Sequence, residues 1–245
     1  MLTVFEQTSV PVAPRDTITV AVSLFNYARF VRECLESIRA QTHPRIDLVV
    51  VDDDSRADNS LELVGDWLQR NADRFRRVSL LKHVDNQGLA EARNTAFEWA
   101  RTDPVFVIDA DNQIYPRALA RLFEYVEFRE FDAAYTQLEL FGDQNRIGLA
   151  DIWTKRFFRC RNYVDAMALV SKRSWEQVGG YSHMDGLEDY DFWCKFVDMG
   201  MKAIYIPEIL CRYRVHGSSM SRTDMAAAEE RLKVKMTMRH PWLEL

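Results

Sequence analysis

The sequence predicts an α/β protein with a mostly parallel, open sheet flanked by helices and a mixed second half. Three observations carry that expectation. Apolar runs alternate with segments of helical period as far as Ile108, the pattern of βαβ units wrapping a parallel sheet. The runs are continuous rather than alternating, as in strands covered on both faces. Acidic residues stand at the ends of those runs, the edge where open α/β sheets bind ligands.

Residues 1–16 read as a poorly packed tail, because Pro11 and Pro14 discourage regular structure. Residues 18–24 form a short strand rich in β-branched side chains. Apolar positions 30, 31, 34, 35 and 38 then follow helical period. A second strand at 48–51 leads to a helix from about Ser60, with Leu61, Val64, Trp67 and Leu68 on one face. A third strand at 78–81 precedes a helix marked by Leu89, Ala92, Ala96, Phe97 and Ala100, and a fourth strand follows at 105–108. Pro116 suits the first position of a helix running to about Val126. Beyond it, strands are expected at 133–141, 163–170, 203–206 and 210–214, and helices at 188–199 and 224–239.

A chain of 245 residues, 47% hydrophobic, fits one large domain with a real core. The expected division is a tail (1–16), a nucleotide-binding half (17–112), an acceptor-binding half (113–222) and a C-terminal helix (223–245). A net charge of −5 argues against general binding to nucleic acid. No apolar run is long enough to span a bilayer, and residues 1–15 lack the core of a signal peptide. Cys34, Cys160, Cys194 and Cys211 form no C-x-x-C pair and read as reduced cysteines of a cytoplasmic protein.

The chemistry starts with Val107-Ile108-Asp109-Ala110-Asp111-Asn112. Residues i and i+2 of a strand share a side, so Asp109 and Asp111 converge and repel unless a cation sits between them. Hard oxygen ligands suit Mg²⁺ or Mn²⁺, ions that commonly carry phosphates. A second acidic strand end is Val51-Asp52-Asp53-Asp54-Ser55, and a third cluster is Glu188-Asp189-Tyr190-Asp191.

With Ser23-Leu24-Phe25-Asn26, Asn86-Gln87-Gly88-Leu89-Ala90-Glu91-Ala92-Arg93-Asn94, Gly179-Gly180-Tyr181 and Tyr213-Arg214-Val215-His216-Gly217-Ser218-Ser219-Met220-Ser221, these segments in this order resemble the family 2 glycosyltransferases of GT-A fold. The likeness runs from about Thr17 to Ser221. It implies a metal-dependent, inverting, non-processive transfer of one sugar from a nucleotide-diphosphate donor to an acceptor hydroxyl, in surface polysaccharide or glycan synthesis. UDP is the default nucleotide. It assigns Ser23, Phe25, Asn26, Asp53, Arg93, Asp109 and Glu188 to substrate binding, Asp111 and His216 to the Mn²⁺ or Mg²⁺ ion, and Asp189 to the general base. Phe25 would pack on the base and Asp53 would bond its edge. Asp109 would serve the ribose side, and Gly217 to Arg222 would close as a lid. Asn112 stands where the family often has a further Asp, and no Q-x-x-R-W of the processive, membrane-spanning synthases follows the acidic helix start.

Plainer alternatives stand beside these roles. Phe25 could be core, Asp52 to Asp54 a turn and helix cap, and Arg93 a surface residue paired with a neighbouring Glu. Glu188 and Asp189 could simply compensate the helix dipole, and Asp191 and Lys195 fit a surface ion pair. Trp193 could be a sugar platform, though helix packing is the safer reading. A sugar nucleotidyltransferase would show a Gly-rich, Lys-bearing loop after the first strand, and residues 23–29 have neither residue. From another class, a catalytically silent nucleotide-sugar or glycan binder stays open.

Two stretches mix basic and apolar side chains. One holds Trp153, Lys155, Arg156, Phe157, Phe158, Arg159 and Arg161; the other is residues 231–243, with Lys233, Lys235 and Arg239 among apolar neighbours. Either could touch the inner face of an anionic membrane carrying a lipid-linked acceptor. Solvated faces around core or homodimer contacts explain them equally well.

Overall fold

The computed structural model describes residues 1–10, 12–126, 130–217 and 225–245. Among them, ten strands form one sheet. In chain order these are β1 (Leu2–Thr8), β2 (Ile18–Leu24), β3 (Ile46–Asp52), β4 (Arg77–Lys82), β5 (Val105–Asp109), β6 (Gln113–Ile114), β7 (Ala133–Gly142), β8 (Arg146–Ile147), β9 (Ala168–Val170) and β10 (Ala203–Val215). The order across the sheet is β1-β4-β3-β2-β5-β9-β7-β10-β6, with β8 paired to β7. The helices are α1 (Val31–Arg39), α2 (Ser60–Asn71), α3 (Leu89–Trp99), α4 (Ala118–Val126), α5 (Lys155–Phe158), α6 (Lys172–Gln177), α7 (Glu188–Asp198) and α8 (Met225–Arg239).

Strands β2 to β5 pair in parallel and are buried on both faces. Their alternate side chains divide between two core layers, as the two-residue period of a strand requires. Val20, Val22, Leu48, Val50, Leu80 and Ile108 meet α1, α2 and α4 on one face. Ala21, Val49, Val51, Val105 and Val107 meet α3 and α7 on the other. The second half is mixed, because β9 runs antiparallel to both β5 and β7 while β10 returns parallel to β7.

Three expectations change. Residues 2–8 are not part of a loose tail but a strand that pairs antiparallel with β4. β1 carries Leu2, Val4 and Phe5, but Leu2 and Val4 stay exposed, so it adds no face to the core and instead covers the edge of β4. The strand expected at 163–170 shrinks to Ala168–Val170, since 163–167 folds as loop. The two strands expected at 203–206 and 210–214 are one, β10, whose register shifts between Ile206 and Ile209. Pro207 lies there and has no N–H to give the ladder. Short elements β6, β8, α5 and α6 carry too few residues to show a period.

Candidate active site

A cavity of about 260 Å³ opens at the carboxyl ends of β2, β3 and β5. Ser23, Phe25, Asp53, Gly88, Arg93, Asp109, Asp111, Glu188 and Asp189 all line it. Residues from five separate segments of the chain thus meet at one place, as the strand-end rule requires.

Its first end is built from loops after β2 and β3 and the start of α3. Phe25 is 44% exposed, which removes the core-packing alternative. Asn26 has φ +55° and accepts from the N–H groups of Arg56 (3.1 Å) and Ala57 (2.9 Å), so its side chain stitches the two loops together. Of the three acids after β3, Asp53 alone lines the cavity. Its carboxylate accepts from the N–H groups of Gln87 (2.8 Å) and Gly88 (2.7 Å) and pairs with His83 Nδ1 at 2.6 Å. Asp52 is wholly buried and accepts from Ser55 N–H, while Asp54 pairs with Arg56 and Lys82. Gly88 begins α3 at φ +89°, a conformation that side chains with a Cβ resist.

The other end is organised by Arg93, which is 1% exposed and therefore not a surface residue. Its Nη2 donates to both oxygens of Asp109 at 3.0 and 3.1 Å, and its Nη1 to Asp189. The guanidinium also lies 5.2 Å from the centre of the Tyr181 ring. Asp189 opens α7, and Glu188 beside it turns back to accept from the N–H groups of Met184 (3.3 Å) and Gly186 (3.0 Å). Burial pushes the Asp189 carboxyl up to about 6 against the pull of Arg93, with Asp109 and Glu188 pushing the same way.

Asp165 also lines this end, and nothing in the sequence pointed to it. Its Oδ1 accepts from Met167 N–H at 2.9 Å. Burial and the nearby Asp189 push its carboxyl up to about 7. His83, the partner of Asp53, was likewise unmarked; its Nε2 meets Thr95 Oγ1 at 2.9 Å.

Between the two ends, Asp111 Oδ2 and His216 Nε2 lie 3.0 Å apart. Burial and the charge of Asp109 push Asp111 up to about 6, against His216. Asn112 accepts from Arg214 N–H at 2.9 Å, and Arg214 Nε donates to Asp111 O at 2.9 Å, so β10 is tied to the turn that carries Asp111. The expected lid beyond Gly217 lies outside the described residues.

Two neighbouring expectations resolve. Trp193 is fully buried among Trp153, Phe192 and Phe196, as helix packing requires. Asp191 is not part of a surface ion pair. It is fully buried and binds Lys195 at 3.3 Å, Arg239 Nε at 2.6 Å and His240 Nε2 at 3.1 Å.

Comparison with known proteins bears on the family and the fold. Residues 19–170 match the model of glycosyl transferase family 2. An uncharacterized glycosyltransferase, MJ1057 of Methanocaldococcus jannaschii, is 24% identical over 81% of this chain and 70% of its own. Glycosyltransferase GlyG of Streptococcus pneumoniae is 21% identical over 85% of this chain and 74% of its own. Among solved structures, S. aureus TarS 1-349 with UDP-GlcNAc superposes with a TM-score of 0.75 at 15% identity, covering 91% of this chain and 66% of that one. Mannosyltransferase PcManGT of Pyrobaculum calidifontis, with GDP-Man and Mn²⁺, gives 0.68 at 23% identity, covering 94% and 64%. This chain spans about two thirds of those structures. The matched family model covers more than half of the chain, and the chain belongs to glycosyl transferase family 2, with the GT-A fold.

Proposed function

We propose that the protein transfers one sugar from a nucleotide-diphosphate donor to an acceptor hydroxyl, with inversion, in surface polysaccharide or glycan synthesis. One observation carries the reading. A single buried arginine, Arg93, holds Asp109 from the nucleotide side and Asp189 from α7 in the same cavity, so donor and acceptor ends face each other. Neighbours in the same fold bind UDP-GlcNAc and GDP-Man, and hyaluronan synthase of Streptococcus pyogenes is 33% identical over 40% of this chain. A uridine nucleotide is the default donor.

Phe25 offers an exposed aromatic face for a base, and Asp53 stands beside it with its carboxylate fixed by backbone donors. Ser23 lines the same end, and Asn26 holds the loop that presents Phe25. Asp109 faces the ribose. At the far end, Asp189 accepts the proton of the acceptor hydroxyl as its oxygen bonds to the anomeric carbon. The bond from that carbon to the diphosphate breaks, and the electron pair leaves with the diphosphate. Attack from the face opposite the leaving group inverts the centre. Glu188 fixes the loop that precedes the base and orients the acceptor.

Asp111 and His216 fit a divalent cation. They bring a carboxylate oxygen and an imidazole nitrogen within 3.0 Å, donor types that hold Mg²⁺ or Mn²⁺, and an ion would take the place of the hydrogen bond that now joins them. Among the described residues there is no group of three or more His, Cys, Asp or Glu that could hold an ion, so donor oxygens and water would have to supply the remaining ligands. An ion bound there would neutralise charge gathering on the departing diphosphate.

The test is calorimetric binding of UDP-, GDP-, dTDP- and CDP-sugars with Mn²⁺ or with EDTA, followed by donor hydrolysis. One sugar nucleotide should bind and be slowly hydrolysed, and Asp111→Asn should bind it in Mn²⁺ no better than wild type does in EDTA. Binding without hydrolysis or transfer would make the protein a silent binder. Equal affinity of wild type and variant under both conditions would remove the metal.

A further inference from the structure

We propose that the surface formed by residues 146–161 docks the protein on an anionic phospholipid bilayer, beside the acceptor end of the cavity. The inference rests on the proposed transferase reading only for its purpose, since docking itself needs no catalysis.

Charge is segregated in this segment. Arg146, Lys155, Arg156, Arg159 and Arg161 face a single acid, Asp151, giving a net charge of +4 in a chain whose total is −5. Four apolar side chains of the same segment are exposed: Ile147 is 54% exposed, Leu149 55%, Ile152 61% and Phe157 39%. Adjacent residues explain how the segment holds that face outward. Trp153 packs on Trp193 with ring centres 5.9 Å apart, and fully buried Phe158 packs on Tyr190, whose hydroxyl donates to Phe158 O. Ile152, next in the chain to Trp153, stands in solvent, and Phe157, beside Phe158, is partly exposed with one edge against Tyr163. Among the described residues, Arg156 and Arg161 enter no ion pair. Arg159 pairs with Glu244, and the Lys155 ammonium lies 4.5 Å from the centre of the Trp242 ring.

Position ties the face to the site. Tyr190 follows Asp189 directly in α7, so the Phe158 contact sets the segment against the turn that carries the base. Arg161 is four residues from Asp165 in the cavity wall, at most about 14 Å of chain. Ile147 pairs with Glu139 on β7, at the same edge of the sheet as Asp109. Basic side chains interspersed with exposed aliphatic and aromatic ones match an anionic headgroup layer over acyl chains. An acceptor sugar on a lipid would then reach Asp189 while its anchor stayed in the bilayer.

The test is sedimentation of the full chain with vesicles of phosphatidylcholine alone or mixed equally with phosphatidylglycerol. Wild type should pellet with the mixed vesicles only, and less as salt rises. The double variants Arg156→Glu/Arg161→Glu and Ile152→Asp/Phe157→Asp should each bind at least about tenfold more weakly. All four side chains are exposed, so thermal melting and donor hydrolysis in the absence of vesicles should stay at wild-type values, which separates loss of docking from failure of the transferase reading. No binding to the mixed vesicles, or binding unchanged in both variants, overturns the proposal. So does a dimer by light scattering that Ile152→Asp/Phe157→Asp dissolves, since a second copy would then cover the face.

Discussion

The two ends of the cavity are held by different forces. At the nucleotide end, Asp53 is fixed by two backbone N–H groups and His83, and Asn26 by two more. Those contacts are short, local to neighbouring loops and independent of any substrate. Towards the acceptor end, one buried guanidinium ties Asp189 to Asp109 of the nucleotide side, while Asp165 and Glu188 stand close by. A surplus of carboxylates is kept together there by a single cation, so their protons are coupled. On the proposed reading the contrast is a division of labour: the first end would be shaped in advance to hold a ligand, and the second would exchange a proton.

The sharpest break in that comparison is at Asp189. Asp189→Asn keeps the size of the side chain, and turnover should fall by ~10²–10⁴ while donor affinity holds. Next comes the buried anchor of α7. Asp191→Asn leaves Arg239, Lys195 and His240 around a neutral group, and should cost about 3–5 kcal/mol in chemical denaturation. A loss below about 1 kcal/mol would mean that helix packing alone positions α7.

The same anchor sets an acid limit. Burial would raise the Asp191 carboxyl, but the bonds from His240 and Arg239 and the charge of Lys195 hold it well below the usual carboxylate range. Its stabilisation is therefore present above about pH 4 and is lost as pH falls through the lowered value. Asp165 and Asp189 are raised instead, so their contribution improves as pH falls from 8 towards 5. Melting temperature should climb from pH 8 to about 4 and then drop. A profile flat from 8 to 5 would contradict the crowding of carboxylates at the acceptor end.

Smaller effects sharpen the contrast further. Asp53→Asn should cost about 1–3 kcal/mol, felt first as weaker donor binding with turnover at saturation retained. Asp165→Asn should raise the acceptor KM roughly 2–10-fold and leave the donor Kd alone. A donor Kd that moves with Asp165→Asn would place that residue at the wrong end.

Legibility in the sequence followed the same division. Strands β2 to β5 and helices α1 to α3 were readable because doubly covered strands and amphipathic helices write their burial into residue type. The acids at strand ends could be placed for the same reason. Strand β1 was hidden because Pro11 and Pro14 follow it and its short apolar stretch, Leu2 to Phe5, is an exposed edge with no sustained core-facing pattern. Asp165 was hidden because it sits in a loop, where no period marks a side chain as facing a cavity. Asp191 misled, since its i,i+4 spacing to Lys195 suits a surface pair, while Arg239 and His240, which bury it, come 48 and 49 residues later. His83 was invisible for that reason too: its partner Asp53 lies 30 residues away.

The division of labour is tested most directly by measuring donor Kd and turnover together for wild type, Asp53→Asn and Asp189→Asn across pH 5 to 8. Wild-type turnover should rise with pH through about 6, as the Asp189 carboxyl ionises, and then level off. Asp53→Asn should weaken donor binding and keep that pH profile. Asp189→Asn should bind donor as wild type does, turn over ~10²–10⁴-fold more slowly and lose the rise near pH 6. Wild-type turnover in Asp189→Asn, or donor affinity lost equally in both variants, would contradict the account.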